Sequence, residues 1–331
     1  MKFAFAGAPA FAAWTLEHLV DLGRGPVLVI SQPDRPVGRG RKAAAPPAAA
    51  AAERLGLELI QPADINAPDV LQAMRTAGAE VLVVAAFGQI LRGTLLDSIL
   101  CINVHGSLLP AYRGAAPIER AVAAGEERTG VSVMRITVPL DSGPWALQKT
   151  VSIGLRDDAG SVARALAFLG AQGVDQVLTG LEDGTVVWTE QEGDLAPVYA
   201  EKLCWEDCLL DVARPARAVH DHVRSLSPRV GARVASSGLQ FKVWRTWPYG
   251  QAGLSSPPPE AAAVAGRPGQ MASTSSRLFV GCGEGAVEVL SVQPDGKGKM
   301  TAAEFLRGYR GRLSDTLGRP VGVCESPGES F

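Results

Sequence analysis

The turn that ends the first apolar stretch reads Gly7-Ala8-Pro9-Ala10-Phe11, without the G-x-G-x-x-G spacing that lets backbone amides close around a pyrophosphate. A nicotinamide or flavin dinucleotide is therefore not the expected ligand. Cysteine is scarce: Cys101, Cys204, Cys208, Cys282 and Cys324 are odd in number and lack C-x-x-C spacing. They fit reduced thiols better than a disulfide framework or a zinc site. Net charge is only −2, so no global basic field marks a nucleic-acid binder, and any such site has to be a local patch. No apolar run reaches the roughly eighteen residues of a membrane span. Of the four histidines, His220 and His222 are two apart and do not share a helix face; they read as surface residues rather than metal ligands.

What is present is an alternation of short apolar strands and helical segments. With 331 residues and 47% hydrophobic content the chain can bury a sizeable core, split into two domains. Met1 to Ala13 imitates a secretory leader, but Lys2–Ala6 reads as a first buried strand, Gly7–Pro9 as its turn and Phe11–Leu22 as an amphipathic helix. A cytoplasmic protein is the expectation. Further strands are predicted at Val27–Ser31, Leu57–Ile60, Val81–Ala86 and Ile102–Val104, with helices at Ala48–Leu55, Val70–Ala77 and Pro117–Ala124. This rhythm predicts a doubly wound, mostly parallel α/β sheet, whose ligands bind at the carboxyl ends of the strands.

The central stretch, Cys101 to Arg120, reads C-I-N-V-H-G-S-L-L-P-A-Y-R-G-A-A-P-I-E-R. In strand alternation Asn103 and His105 share a side while Val104 faces the other, so an amide donor and a proton-transfer group are aimed at one spot. That pairing suits an acyl-type centre, although two residues alone are equally compatible with a hydrogen-bonded core histidine. Asp141, in the turn Pro139-Leu-Asp-Ser-Gly-Pro144, can orient His105, or can be an ordinary turn aspartate. Ser107 lies in H-G-S-L-L rather than a G-x-S-x-G elbow, which weighs against a serine nucleophile.

Between the second strand and the alanine-rich run, residues 35–42 carry four cations: Arg35, Arg39, Arg41 and Lys42. This loop can reach for phosphates, or it can be a solvated linker. Downstream, Ala163–Leu181 reads as a long helix, Glu190–Pro197 breaks periodicity and Val212–Leu226 looks helical. The strands Gln240–Trp247, Leu278–Gly281 and Ala286–Val292, with Gly/Pro turns and an exposed loop at Ser255–Glu260, predict a small β-barrel. Residues 201–331 hold 16 Lys and Arg against 13 Asp and Glu, which leaves this part mildly basic. The expected organisation is a catalytic domain over 1–190, a linker over 191–206, a barrel over 207–312 and a tail over 313–331.

The motifs F-x-G-x-P-x-F near the start, Q-P-D-R-P-x-G-R-G at 32–40, A-F-G-Q-I-L at 86–91, I-N-V-H-G-S-L-L-P-x-Y-R-G-A-A-P-I at 102–118 and L-D-S-G-P at 140–144 together resemble the methionyl-tRNA formyltransferase family. The likeness extends to Tyr199-Ala-Glu-Lys-Leu203 and Ser291-Val-Gln-Pro294. It implies a Rossmann-like formyltransferase domain followed by an OB-like, tRNA-binding barrel, and a monomer. It implies Asn103, His105 and Asp141 as the catalytic trio. It also implies a 10-formyltetrahydrofolate pocket along Phe87, Gly88, Gln89, Ile90, Leu91, Ser107, Leu108, Leu109, Pro110 and Leu140, and contact of the Arg39 loop, with Arg35, Arg41 and Lys42, to the acceptor end of initiator tRNA. Ala8 and Ala10 depart from the family's polar first turn, Phe87 stands where tyrosine is usual, Pro139 where glycine is usual, and Ala48 to Ala50 where a polar or basic residue is usual. The formyl transfer needs neither a metal nor a covalent intermediate. Related readings are a formyltransferase for an amino-sugar nucleotide or other small amine, against which the R-G-R-G loop argues; a tRNA-binding protein without catalysis, against which the intact trio argues; and a formyl-folate hydrolase.

Overall fold

A computed structural model describes residues 1–37, 42–191 and 198–318. The chain separates into two compact units: Met1–Pro117, Arg128–Ser152 and Val162–Glu201 form the first, while Ile118–Glu127, Ile153–Ser161 and the chain from Lys202 on form the second. No single cut in the sequence divides them.

In the first unit, buried five-residue runs such as Phe-Ala-Phe-Ala-Gly leave no polar side chain to face water, so they form central strands covered on both faces. β1 (Phe3–Gly7) leads into α1 (Ala10–Asp21) and β2 (Leu28–Ile30); a short hairpin of β3 (Arg35–Val37) and β4 (Lys42–Ala44) precedes α2 (Pro47–Arg54) and β5 (Leu59–Ile60). Then follow α3 (Pro68–Thr76), β6 (Val81–Ala85), α4 (Gly93–Ser98) and β7 (Leu100–His105). β8 (Arg113–Gly114), β9 (Arg128–Arg135), β10 (Trp145–Ser152), α6 (Ala159–Glu182) and β11 (Tyr199–Ala200) complete the series, while α5 (Pro117–Ala123), between β8 and β9 in the chain, falls in the second unit from Ile118 on.

The main sheet runs β10-β9-β7-β6-β1-β2-β5. Its five strands from β7 to β5 are parallel, whereas β9 pairs antiparallel with β7 and β10 with β9. The order reverses on either side of β1, which is the doubly wound arrangement expected. Helices begin earlier than their apolar periodicity: α1 starts at Ala10 because Pro9 sits extended in front of it, and α2 and α3 both carry proline in their first turn.

The second unit is a curled antiparallel sheet. Its elements are α7 (Ala216–Ser225), β12 (Ala232–Ser236), β13 (Leu239–Tyr249), α8 (Pro259–Val264), β14 (Met271–Ser273), β15 (Leu278–Gly281), β16 (Ala286–Pro294), β17 (Met300–Thr301) and α9 (Ala302–Tyr309). The strand order is β12-β13-β16-β15-β14, with β17 on β16. Phe241, Phe279 and Phe305 are fully buried within it, and the Phe241 and Phe305 rings meet at 5.0 Å.

Two edges, β12 and β14, are joined by residues beyond 312, the expected end of the barrel. Met271 N–H donates to the Asp315 carbonyl, Leu317 N–H to Gly269, and Ala235 and Gly318 exchange both backbone bonds, all at 2.7–2.8 Å. A stretch read as tail thus closes the barrel, because unpaired strand edges need a partner.

His220 and His222 are not surface residues. His220 is 3% exposed, with Nδ1 at 3.0 Å from Thr246 Oγ1 and Nε2 at 2.8 Å from the Leu155 carbonyl. His222 is partly buried, with Nε2 at 2.7 Å from the Asp207 carbonyl. The two do point to different sides of α7, but both sides are covered.

Candidate active site

β7 sets the site. Its register pairs Asn103 with Val84 on β6 and with Met134 on β9, so its backbone is held on both sides. Val104 faces α6 closely enough that a Cβ on Gly170 would come within 2.6 Å of its Cγ1. Strand alternation then sends Asn103 and His105 to the opposite face, at the carboxyl end of the parallel strands.

His105 is 5% exposed, and its Nε2 lies 2.8 Å from the Tyr112 carbonyl. A carbonyl only accepts, so Nε2 carries a hydrogen and, in the neutral ring, Nδ1 keeps the lone pair. Nδ1 faces Asp141 Oδ2 at 3.7 Å, too long for a hydrogen bond but close enough for a carboxylate to stabilise a proton arriving there. Asn103 is half-buried beside His105 on the same face, and its side-chain amide has no hydrogen-bond partner among the described residues. The sequence pattern therefore brings all three residues of the expected trio to one end of β7.

Asp141 is itself held by parts the sequence reading did not single out. Its backbone takes a positive φ of 49°, and its Oδ2 accepts the Gly114 N–H at 2.9 Å. The carbonyls of Asp141 and Gly143 both accept from Gln191 Nε2 at 2.8 Å. Gln191 Oε1 in turn accepts from Arg113 Nε at 2.9 Å and Nη2 at 2.7 Å. Gly114 must be glycine: its φ is +118°, and a Cβ would fall 2.7 Å from the Ala200 carbonyl. Pairing of β8 with β11 places Arg113 opposite Tyr199 and Gly114 opposite Ala200, which gives the Tyr-Arg-Gly and Tyr-Ala-Glu-Lys segments a common purpose. Gln191 lies where periodicity breaks, so no sequence pattern marks it.

The residues expected along the folate pocket fall into two groups. Ile90 and Leu140 are 63% and 59% exposed, large apolar side chains available to a ligand. Phe87, Leu91 and Leu109 are buried, and Leu108 packs against Gly130. Gly88 turns with φ +82° while the Phe87 carbonyl accepts from Gln32 Nε2 at 3.0 Å. Gln89 bridges the Ile65 N–H and the Ala63 carbonyl. Ser107 is fully buried and donates to the Ala111 carbonyl at 2.6 Å, Pro110 is partly buried, and Ser132 joins the Ser107 carbonyl to the Leu109 N–H. The Ser107 hydroxyl is thus committed to the loop. A groove of about 470 Å³, lined by Arg135, Val138, Ser142 and Glu190 among others, flanks the Asp141 turn. Of the basic loop, Arg35 is exposed and donates to Gln32 Oε1 at 3.1 Å; Arg39 and Arg41 lie outside the described residues, as does the Lys42 side chain.

Cys101, on the same strand, is pushed up to about 12 by burial, which makes it an inert packing thiol. The described cysteines are all free. No helix among the described residues is long and apolar enough to cross a membrane.

A formyl transferase model matches residues 1–178, and a formyl transferase C-terminal domain model matches residues 202–310. Methionyl-tRNA formyltransferase of Solibacter usitatus is 40% identical over 320 residues, covering 96% of this chain and 99% of the relative. The chain belongs to the methionyl-tRNA formyltransferase family. The enzyme of that name from a Methylobacterium species is also 40% identical, over 94% of this chain and 97% of its own. Among solved structures, methionyl-tRNA formyltransferase from Clostridium thermocellum aligns with a TM-score of 0.52 at 13% identity, over 74% of this chain and 92% of that one. The sugar 3N-formyl transferase WlaRD, solved with dTDP and 5-N-formyl-THF, gives 0.59 at 14% identity, over 90% of this chain and 99% of that one. HypX from Aquifex aeolicus gives 0.61 at 15% identity over 95% of this chain, which spans only 50% of HypX. At these identities the likeness is one of fold.

Proposed function

We propose that this member of the family transfers the formyl group of 10-formyltetrahydrofolate to the α-amino group of methionyl-initiator tRNA, in the cytoplasm, with Asn103, His105 and Asp141 at the reacting centre. The observation that carries the assignment is the unpartnered Asn103 amide beside a histidine whose lone-pair nitrogen faces a fixed carboxylate.

The α-amine has an ordinary pKa near 8, so its neutral form is accessible close to neutral pH. Its nitrogen attacks the formyl carbon, and the C=O π electrons become an oxyanion on the tetrahedral carbon. Asn103 donates to that oxyanion. The ammonium formed in the attack must lose a proton while N10 of the folate leaving group gains one. His105 Nδ1 is the nitrogen free to carry it, and Asp141 stabilises the transient imidazolium. Collapse breaks the C–N10 bond and leaves the formyl group on the amine. Ile90 and Leu140 offer the exposed apolar contacts that suit the flat ring of a folate. Arg35 and the loop that follows it supply cations toward an RNA end.

The test is transfer of labelled formyl from 10-formyltetrahydrofolate to methionylated initiator tRNA, beside elongator methionyl-tRNA and free methionine. Label is expected on the initiator alone, and Asn103→Ala and His105→Ala are each expected to slow turnover by about two to three orders of magnitude. Near-normal turnover by either folded variant would remove it from the mechanism. Formate release without any amine acceptor would replace transfer by hydrolysis.

A further inference from the structure

The second unit contains a pocket of its own, about 370 Å³, built from residues 155–158, α7, β13 and β16. Arg224 on α7 lines it and is only 4% exposed. Three of its donors are used: Nε donates to Asp221 Oδ1 at 2.7 Å, and Nη1 to the carbonyls of Gly154 at 3.0 Å and Asp157 at 2.9 Å. Nη2 is buried and has no hydrogen-bond partner among the described residues. A buried guanidinium nitrogen left unpaired costs free energy in every folded molecule, and such groups are rare unless something else completes them.

The other lining charges point to what that something is. Arg156 and Arg245 also line the pocket; both are exposed, and neither has a carboxylate partner among the described residues. Arg156 lies over the Trp247 ring at 5.7 Å. The two acids of the lining are already engaged. Glu288 is gripped by Arg277 at 2.6 Å and accepts the Tyr249 hydroxyl, and Asp158 Oδ1 accepts the Ser161 N–H at 2.8 Å. The pocket is thus lined by one buried guanidinium with an unanswered donor nitrogen and by two guanidinium groups without carboxylate partners among the described residues, against carboxylates that are spoken for. Planar N–H forks in a partly desolvated cleft match the oxygens of a tetrahedral oxyanion, and the excess of cations favours one that carries more than a single charge.

We propose that this pocket binds a phosphate group, with Arg224 Nη2 as its buried donor and Arg156 and Arg245 closing over it. The phosphate can belong to a small molecule in solution, such as a 5′-mononucleotide, or to the backbone of the tRNA acceptor. Only this second source rests on the function proposed above.

The pocket is tested by calorimetric titration of the full chain with inorganic phosphate and with 5′-AMP at constant ionic strength, without formyl donor. Saturable one-site binding is expected, weakened about tenfold in Arg156→Ala and in Arg245→Ala, and lost in Arg224→Lys, which keeps the charge but not the second N–H. The two exposed variants keep the test decisive if the α7 variant does not fold. Absence of saturable binding, or equal binding by wild type and both exposed variants, overturns the proposal. Binding of tRNA in the same variants identifies the source: a parallel tenfold loss with competition by inorganic phosphate assigns the pocket to RNA, and unchanged tRNA binding alongside lost mononucleotide binding assigns it to a free ligand. Because no turnover is measured, failure of the pocket leaves the formyl-transfer reading untouched.

Discussion

At the scale of single residues, the proposed chemistry depends on where one carboxylate is held. Asp141 occupies a left-handed backbone conformation that disfavours a residue with a Cβ, and its Oδ2 stands 3.7 Å from His105 Nδ1. What keeps it there is Gln191, which ties the Asp141 and Gly143 carbonyls together, backed by the Arg113 fork. Gln191→Leu, of similar size without donors, leaves two carbonyls unanswered and frees the turn. The expected result is a drop in kcat of about tenfold to a hundredfold with an altered pH profile, while KM for the formyl donor changes less. An unchanged kcat and pH profile would show that the turn holds itself. The shared side of Asn103 and His105 was legible from strand alternation, whereas Asp141 could be read as an ordinary turn aspartate and joined them as a candidate through the family resemblance. Gln191 was not legible, since it acts through a side chain from a stretch without periodicity, and the Tyr112 carbonyl is a backbone group that no side-chain motif can reveal.

At the scale of elements, β1, β2 and β6 were readable because each is a short, fully buried apolar run. β10 was not, for its residues are mostly half-exposed and show no clean alternation. α4 and α8, of six residues each, are too short to show a helical period. The histidines of α7 misled for a different reason: i and i+2 do lie on different faces, but a helix packed on both sides buries both. The closing strand at 315–318 has little sequence signature, yet it supplies four backbone hydrogen bonds between β12 and β14 and buries Leu317. Ending the chain after Arg312 is therefore expected to lower Tm by several degrees, since loss of one buried leucine and its edge pairing costs on the order of 2–4 kcal/mol. Calorimetry of the truncated and full chains decides it; equal Tm values would mean the barrel closes without this segment.

At the scale of the whole molecule, acid sensitivity falls to the two histidines of α7. Desolvation by burial lowers the pKa of His220, against its bond to the Leu155 carbonyl, and that of His222, against its bond to Asp207. The unfolded chain protonates such a side chain near 6.5, while the folded one resists it. Below that pH the unfolded state binds more protons, so stability falls as pH drops through about 6.5. The depressed carboxylates, such as Asp207 beside Arg120 and Glu304 at the Thr301 N–H, lose their contributions only in the carboxylate range, well below this window. Tm is accordingly expected to decline between pH 7.5 and 5.5, and His220→Gln is expected to be less stable at pH 7.5 yet to lose less on acidification. Parallel pH profiles for the variant and the wild type would move the acid-sensitive group elsewhere. Because α7 also carries Arg224, whose Nη2 has no partner among the described residues, acidification adds positive charge next to a guanidinium with one donor nitrogen still unanswered. Inorganic phosphate should therefore raise Tm more at pH 5.5 than at pH 7.5, as long as the dianion and monoanion are both bound. A shift of the same size at the two pH values would mean that His220 and the phosphate group act independently.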